Sequence, residues 1–153
     1  MAQQQITQTN LSPDYEIYEN VLAAIDRIVP LRESHTPLDI TVEDGVVTIK
    51  GVVFTETLRR QVLYAAATTP GVRKVVDMLW DDLDLRAMVA RELARDPLLQ
   101  TPPTTILTRS YQGALALSGT VSTAEQRDRA AEIAASVPGV RRVVNNLVVK
   151  GEG

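Results

Sequence analysis

Two stretches of the chain, GVVFTETLRRQVLYAAATTPGVRKVVDML (Gly51 to Leu79) and GTVSTAEQRDRAAEIAASVPGVRRVVNNL (Gly119 to Leu147), align without a gap at a shift of 68 residues. Of the 29 aligned pairs 13 are identical, including Thr55/Thr123, Arg59/Arg127, Pro70/Pro138, Gly71/Gly139 and Arg73/Arg141, which is too many for chance in an ungapped frame. The same shift pairs Gly45 with Gly113 and sets Asp14, Val21 and Arg27 opposite Asp82, Val89 and Arg95. Two copies of one unit therefore fill nearly all of the 153 residues. The expected division is a tail at 1–11, a first domain at 12–81, a second at 82–150 and a tail at 151–153.

Each unit reads helix, strand, strand, helix, strand. Ser12-Pro13 is a cap followed by a helix-starting proline. Tyr18, Val21, Leu22, Ile25, Ile28 and Val29 then recur at helical spacing, one buried stripe. Asp44-Gly45 between the alternating runs LDITVE and VVTIKG is a two-residue hairpin signal that puts Ile40, Val42, Val47 and Ile49 on the core face. Thr55 caps the next helix, Pro70-Gly71 ends it, and a strand runs from Val72 to Trp80. Gly51 and Gly119 end a strand where a bulge or close helix packing needs no side chain. In the second copy the elements fall near Leu83–Arg95, Thr104–Tyr111, Ala114–Val121, Ala124–Ser136 and up to Val149. The class is α+β: two tandem α-β-β-α-β units, each a three-stranded mixed sheet with two helices on one face. The expected cores are Val21, Leu22, Ile25, Val47, Ile49, Val62, Val75 and Leu79, then Val89, Leu93, Leu115, Leu117, Ile133, Val143 and Leu147.

Composition narrows the function. Apolar residues at 44% can fill a core, while 16 basic against 19 acidic side chains speak against a general nucleic-acid binder. The absence of Cys excludes disulfides, thiolate metal sites and a Cys nucleophile, and a single His excludes a histidine relay. No transmembrane run of 18 apolar residues occurs. The opening MAQQQITQTNLSPD has neither the basic patch nor the apolar stretch of a secretory signal, and no Cys offers a lipidation site, so the expected location is cytoplasmic, or periplasmic if the chain is a processed form.

The pattern DGVVTIKGVV (Asp44 to Val53), a helix, and PGVRKVVDML (Pro70 to Leu79) resembles the BON domain, a small bacterial module. LALSGTVSTAEQRDRAAEIAASVPGVRRVVNNLVV (Leu115 to Val149) is the closer match. The resemblance implies the α-β-β-α-β fold, association with anionic phospholipid surfaces and no catalytic residues. Tandem members include periplasmic stress proteins and outer-membrane lipoproteins.

No glycine-rich phosphate loop, paired catalytic carboxylates or dinucleotide fingerprint occurs, so neither enzymatic activity, a cofactor nor a metal is expected. His35 reads as a solvated loop residue. The acidic run Asp81, Asp82 and Asp84 reads as a helix start complementing the dipole rather than a calcium loop. Residues 1–82 carry 7 basic and 12 acidic side chains, net −5, whereas 83–153 carry 9 and 7, net +2. That asymmetry suits a second unit facing anionic headgroups, or head-to-tail attraction between molecules. On the helix DLDLRAMVARELARD, with Leu85, Val89 and Leu93 buried, Met88, Arg91 and Arg95 form the candidate lipid-facing set. Strand alternation turns Val46, Val76, Met78 and Trp80, and in the second unit Leu107, Tyr111, Val144 and Val148, away from the helices as candidate interfaces. Trp80 is expected in a contact between units or between chains. The resulting expectation is a non-catalytic module on anionic phospholipid surfaces; the alternative is a cytoplasmic protein-interaction module, or a homo-oligomer, using the apolar sheet faces.

Overall fold

The computed structural model describes residues 12–102 and 104–150, so the expected tails at 1–11 and 151–153 lie outside the described residues. The first set of elements is α1 (Pro13–Asp26), α2 (Val29–Ser34), β1 (Leu38–Glu43), β2 (Val46–Val53), α3 (Glu56–Ala67) and β3 (Lys74–Asp81). The second is α4 (Asp82–Arg95), a 3₁₀ turn (Pro97–Gln100), β4 (Thr105–Tyr111), β5 (Ala114–Val121), α5 (Ala124–Ser136) and β6 (Arg142–Val149). Two compact units divide between Leu79 and Trp80. Each has one sheet, in the order β1-β2-β3 and β4-β5-β6, and the fold is α+β as the repeat predicts. In both copies the first two strands are antiparallel; β6 then returns parallel to β5 after the α5 crossover.

Local chemistry explains the boundaries. The four longer helices of the described residues each start on a side-chain oxygen that accepts a backbone N–H: Ser12 from Tyr15, Thr55 from Leu58, Asp81 from Asp84 and Thr123 from Gln126. Asp44-Gly45 and Gln112-Gly113 turn the hairpins with positive φ at both central residues, the geometry that matches strand twist. Ionic clips add to this framework. Glu56 first, and Asp77 after it, raise the Arg59 guanidinium pKa above its ordinary value, and Asp96 with Glu132 does the same to Arg129.

The first core is Ile17, Val21, Ile25, Leu31, Ile40, Val47, Ile49, Val53, Val62, Ala66 and Leu79. Two expectations for α1 need correction. Leu22 is 36% exposed and Val29 is 45% exposed, while Ile17, absent from the expected stripe, is buried. The buried positions recur every four residues from Ile17, and Leu22 stands about 100° round the helix from Val21. Arg27 ends α1, so Val29 opens a separate helix and shares no stripe with Val21. In the second unit Leu85, Val89, Leu93, Leu115, Leu117 and Leu147 are buried, and Ala130 and Ala134 carry α5 onto the sheet while Ile133 is only half-buried. Val75 and Val143 are also half-buried.

Candidate functional site

The second unit's sheet turns one face to its helices and leaves the other open. Alternation along β4 half-buries Ile106, Thr108 and Ser110 and exposes Thr105, Leu107, Arg109 and Tyr111. The register carries this face across the sheet in rows: Tyr111 beside Ala114 beside Arg142, then Arg109–Ala116–Val144, Leu107–Ser118–Asn146 and Thr105–Thr120–Val148. Leu107 is 62% exposed, Tyr111 58% and Val148 61%, with Val144 somewhat less open. The structure thus sets these four expected residues on one face. It adds two guanidiniums, Arg109 and Arg142, and that face carries no carboxylate. Neither arginine forms an ion pair among the described residues. An apolar surface set with cations and free of anions attracts negative charge without internal competition. Arg109 and Arg142 escaped the sequence reading because only apolar residues were followed along the strands, although the same period of two selects them.

Beside this face, an open groove of about 810 Å³ lies between α4 and β4. Leu83, Asp84, Arg86, Ala87 and Ala90 line it from the helix, so this groove, unlike the open face, carries an acid, and Leu107 and Arg109 line it from the strand. On α4 itself Leu85, Val89 and Leu93 are buried. Met88 is half-buried, Arg91 is exposed, and Arg95 is held by Glu92 at 3.3 Å. Asp96, just past the end of α4, pairs with Arg129 of α5.

The first unit's open face differs. Its outward residues include Asp39, Thr41 and Glu43 on β1, Val46, Thr48 and Lys50 on β2, and Lys74, Val76 and Met78 on β3. Met78 is exposed, and Val46 and Val76 are half-buried. Two carboxylates and two ammonium groups balance there. Trp80, half-buried, stands against Gly139 within the second unit: a Cβ at Gly139 would come within 2.7 Å of the indole Cδ1.

Two acids of the run Asp81, Asp82 and Asp84 serve the fold. Asp81 caps α4. Asp82, buried, accepts from Gln112 N–H at 2.7 Å, Gly113 N–H at 3.1 Å and Ser110 Oγ at 2.6 Å. Asp14, its repeat partner, accepts from Asp44 N–H at 2.9 Å and Gly45 N–H at 3.0 Å. His35 is exposed and ends α2 in a left-handed conformation, with Nδ1 3.1 Å from the Glu33 carbonyl.

No helix among the described residues is long and apolar enough to cross a membrane. No curated protein matches the chain by sequence. Among solved structures, the chain is similar to the C-terminal domain of CdsD, described as the structural protein of the type III secretion system of Chlamydia trachomatis. That likeness has a TM-score of 0.63 and 19% identity, over 85% of this chain and 64% of that one. A second CdsD structure from Chlamydia trachomatis matches with a TM-score of 0.62 and 19% identity, over 84% of this chain and 60% of that one. The chain therefore spans less than two thirds of those chains, and at such identity the likeness is one of fold. The BON-domain family profile matches residues 16–79 and again 81–151. With the repeat, the sheet order and both matches in agreement, the chain belongs to the BON-domain family, as two such domains in tandem.

Proposed function

We propose that this chain is a non-catalytic binding module whose second unit docks on anionic phospholipid surfaces through the open face of β4–β6. The observation that carries the reading is the composition of that face: exposed Leu107, Tyr111 and Val148 around Arg109 and Arg142, with no carboxylate among them. Apolar side chains enter the headgroup boundary while guanidiniums pair with phosphates, each cation contributing about 1 kcal/mol near the surface. The non-catalytic part is supported by the buried polar groups. Thr69, Asp81, Asp82 and Gln126 each hold backbone atoms of their own unit. A protein-contact reading has one separate observation in its favour, the edge position of β4, bonded to a neighbouring strand on one side only.

Vesicle flotation at low salt tests the lipid reading. The chain should float with phosphatidylglycerol vesicles and stay behind with phosphatidylcholine ones. Arg142→Glu should lower the bound fraction about tenfold, the effect of reversing one surface cation. A chain that does not float with anionic vesicles overturns the proposal.

A further inference from the structure

The two units are copies of one fold, so the places where they differ on equivalent surfaces are informative. β1 and β4 are both edge strands, each bonded on one side only. Outside the sheet ladders, no backbone hydrogen bond of the described residues involves either strand. An uncovered edge is a template for another strand unless something protects it. β4 reads TILTRSY, without Pro or Lys; α4 packs on its helix side, where Thr108 Oγ1 donates to the Arg86 carbonyl at 3.3 Å, and its outer backbone groups make no bond to that helix. On the outward side the equivalent positions are Asp39/Leu107, Thr41/Arg109 and Glu43/Tyr111. Thus one edge presents two acids around a threonine, and the other presents two large side chains around an arginine. All of these residues are exposed.

We infer that a second copy of this chain occupies the β4 edge, adding its own β1 as the next strand. The charge pattern selects this pairing over the others. With Thr41 opposite Arg109 in an antiparallel pair, where Ile40 and Val42 meet Ser110 and Thr108 with their outward backbone groups, the guanidinium falls between Asp39 and Glu43 of the incoming strand. Diagonal neighbours at that spacing are within reach of a long side chain. Pairing β4 with β4 sets Arg109 against Arg109, and pairing β1 with β1 brings four carboxylates together; like charges on adjacent strands oppose both. The surplus of acid in residues 1–82 and of base in 83–153 favours the same encounter at longer range. Addition at this edge uses backbone groups and engages Arg109 of the open face, and the inference does not rest on lipid binding.

Light scattering across a concentration series, at low and high salt, gives the first reading. The mean mass should rise above the 16.8 kDa of one chain with concentration, and less steeply as salt is raised. Two variants make the reading specific to these strands. Arg109→Glu alone, and Asp39→Arg with Glu43→Arg in a second chain, should each weaken self-association at least about tenfold. Mixed in equal amounts, the two variants should associate again, because each then meets an edge of opposite charge. The substitutions are at exposed positions, and circular dichroism checks that both variants fold. A wild-type chain that stays monomeric, or association that does not weaken with salt, overturns the inference without recourse to the variants. So does either variant that self-associates like the wild type, or a mixture that remains monomeric.

Discussion

Asp14 and Asp82 hold the same post in two copies, and their surroundings set different values on it. Each carboxylate holds the N–H groups of a hairpin turn about thirty residues further along the chain. The Asp82 carboxylate is 4% exposed and takes a third bond from Ser110, whereas Asp14 is only half-buried. Asp82→Ala should therefore cost about 3 kcal/mol, the penalty for stranding buried donors of a charged acceptor, and Asp14→Ala about 1 kcal/mol. Urea unfolding of the two variants gives the comparison, and equal losses would contradict the burial argument. Gly119 is a second case. With φ at +118°, a Cβ there would lie 2.0 Å from the Thr105 carbonyl oxygen, so the close approach is to the neighbouring strand and not to a helix. Gly119→Ala should cost about 3 kcal/mol, because the atom it meets is backbone and cannot swing aside. A thermal midpoint unchanged by that substitution would refute the approach.

Among the elements, α5 is held by its first turn. Thr123 accepts from Gln126 N–H at 3.1 Å, and the Gln126 side chain accepts from Ser122 N–H at 2.7 Å and donates to the Leu98 carbonyl at 2.8 Å. One buried amide thus closes the helix start and ties it to the 3₁₀ turn after α4. Thr123→Ala removes a cap, about 1 kcal/mol. Gln126→Ala should cost about 2 kcal/mol, since a buried N–H and a carbonyl both lose their partner. Hydrogen exchange at Ser122 should rise in the second variant far more than in the first. The cap at Thr123 was legible in the sequence from its place before a helical run. The tie to Leu98 was not, because it joins segments 28 residues apart whose approach only packing sets.

At the scale of the whole molecule the net charge of −3 hides a division. The open face of β4–β6 carries two cations and no anion, so attraction to an anionic surface is local and screenable. Flotation with anionic vesicles should therefore fall steadily as salt rises, and binding indifferent to salt would point to the apolar residues alone. The repeat, the α-β-β-α-β order, the hairpin turns and the central core positions Val47, Ile49, Leu115 and Leu117 can all be read along the chain. These are encoded in short-range periods and in pairs of identical residues 68 apart, which need no three-dimensional information. The stripe expected on α1, drawn through Leu22 and Val29, overlooks the end of the helix at Arg27. Three features need the folded chain: the burial of Asp82 against its turn, the placing of Arg109 and Arg142 on one anion-free face, and the edge position of β4. Each depends on strands brought together from distant parts of the chain. A sequence period says which side of its own strand a residue takes, and it is the register between strands that says which residues share a surface.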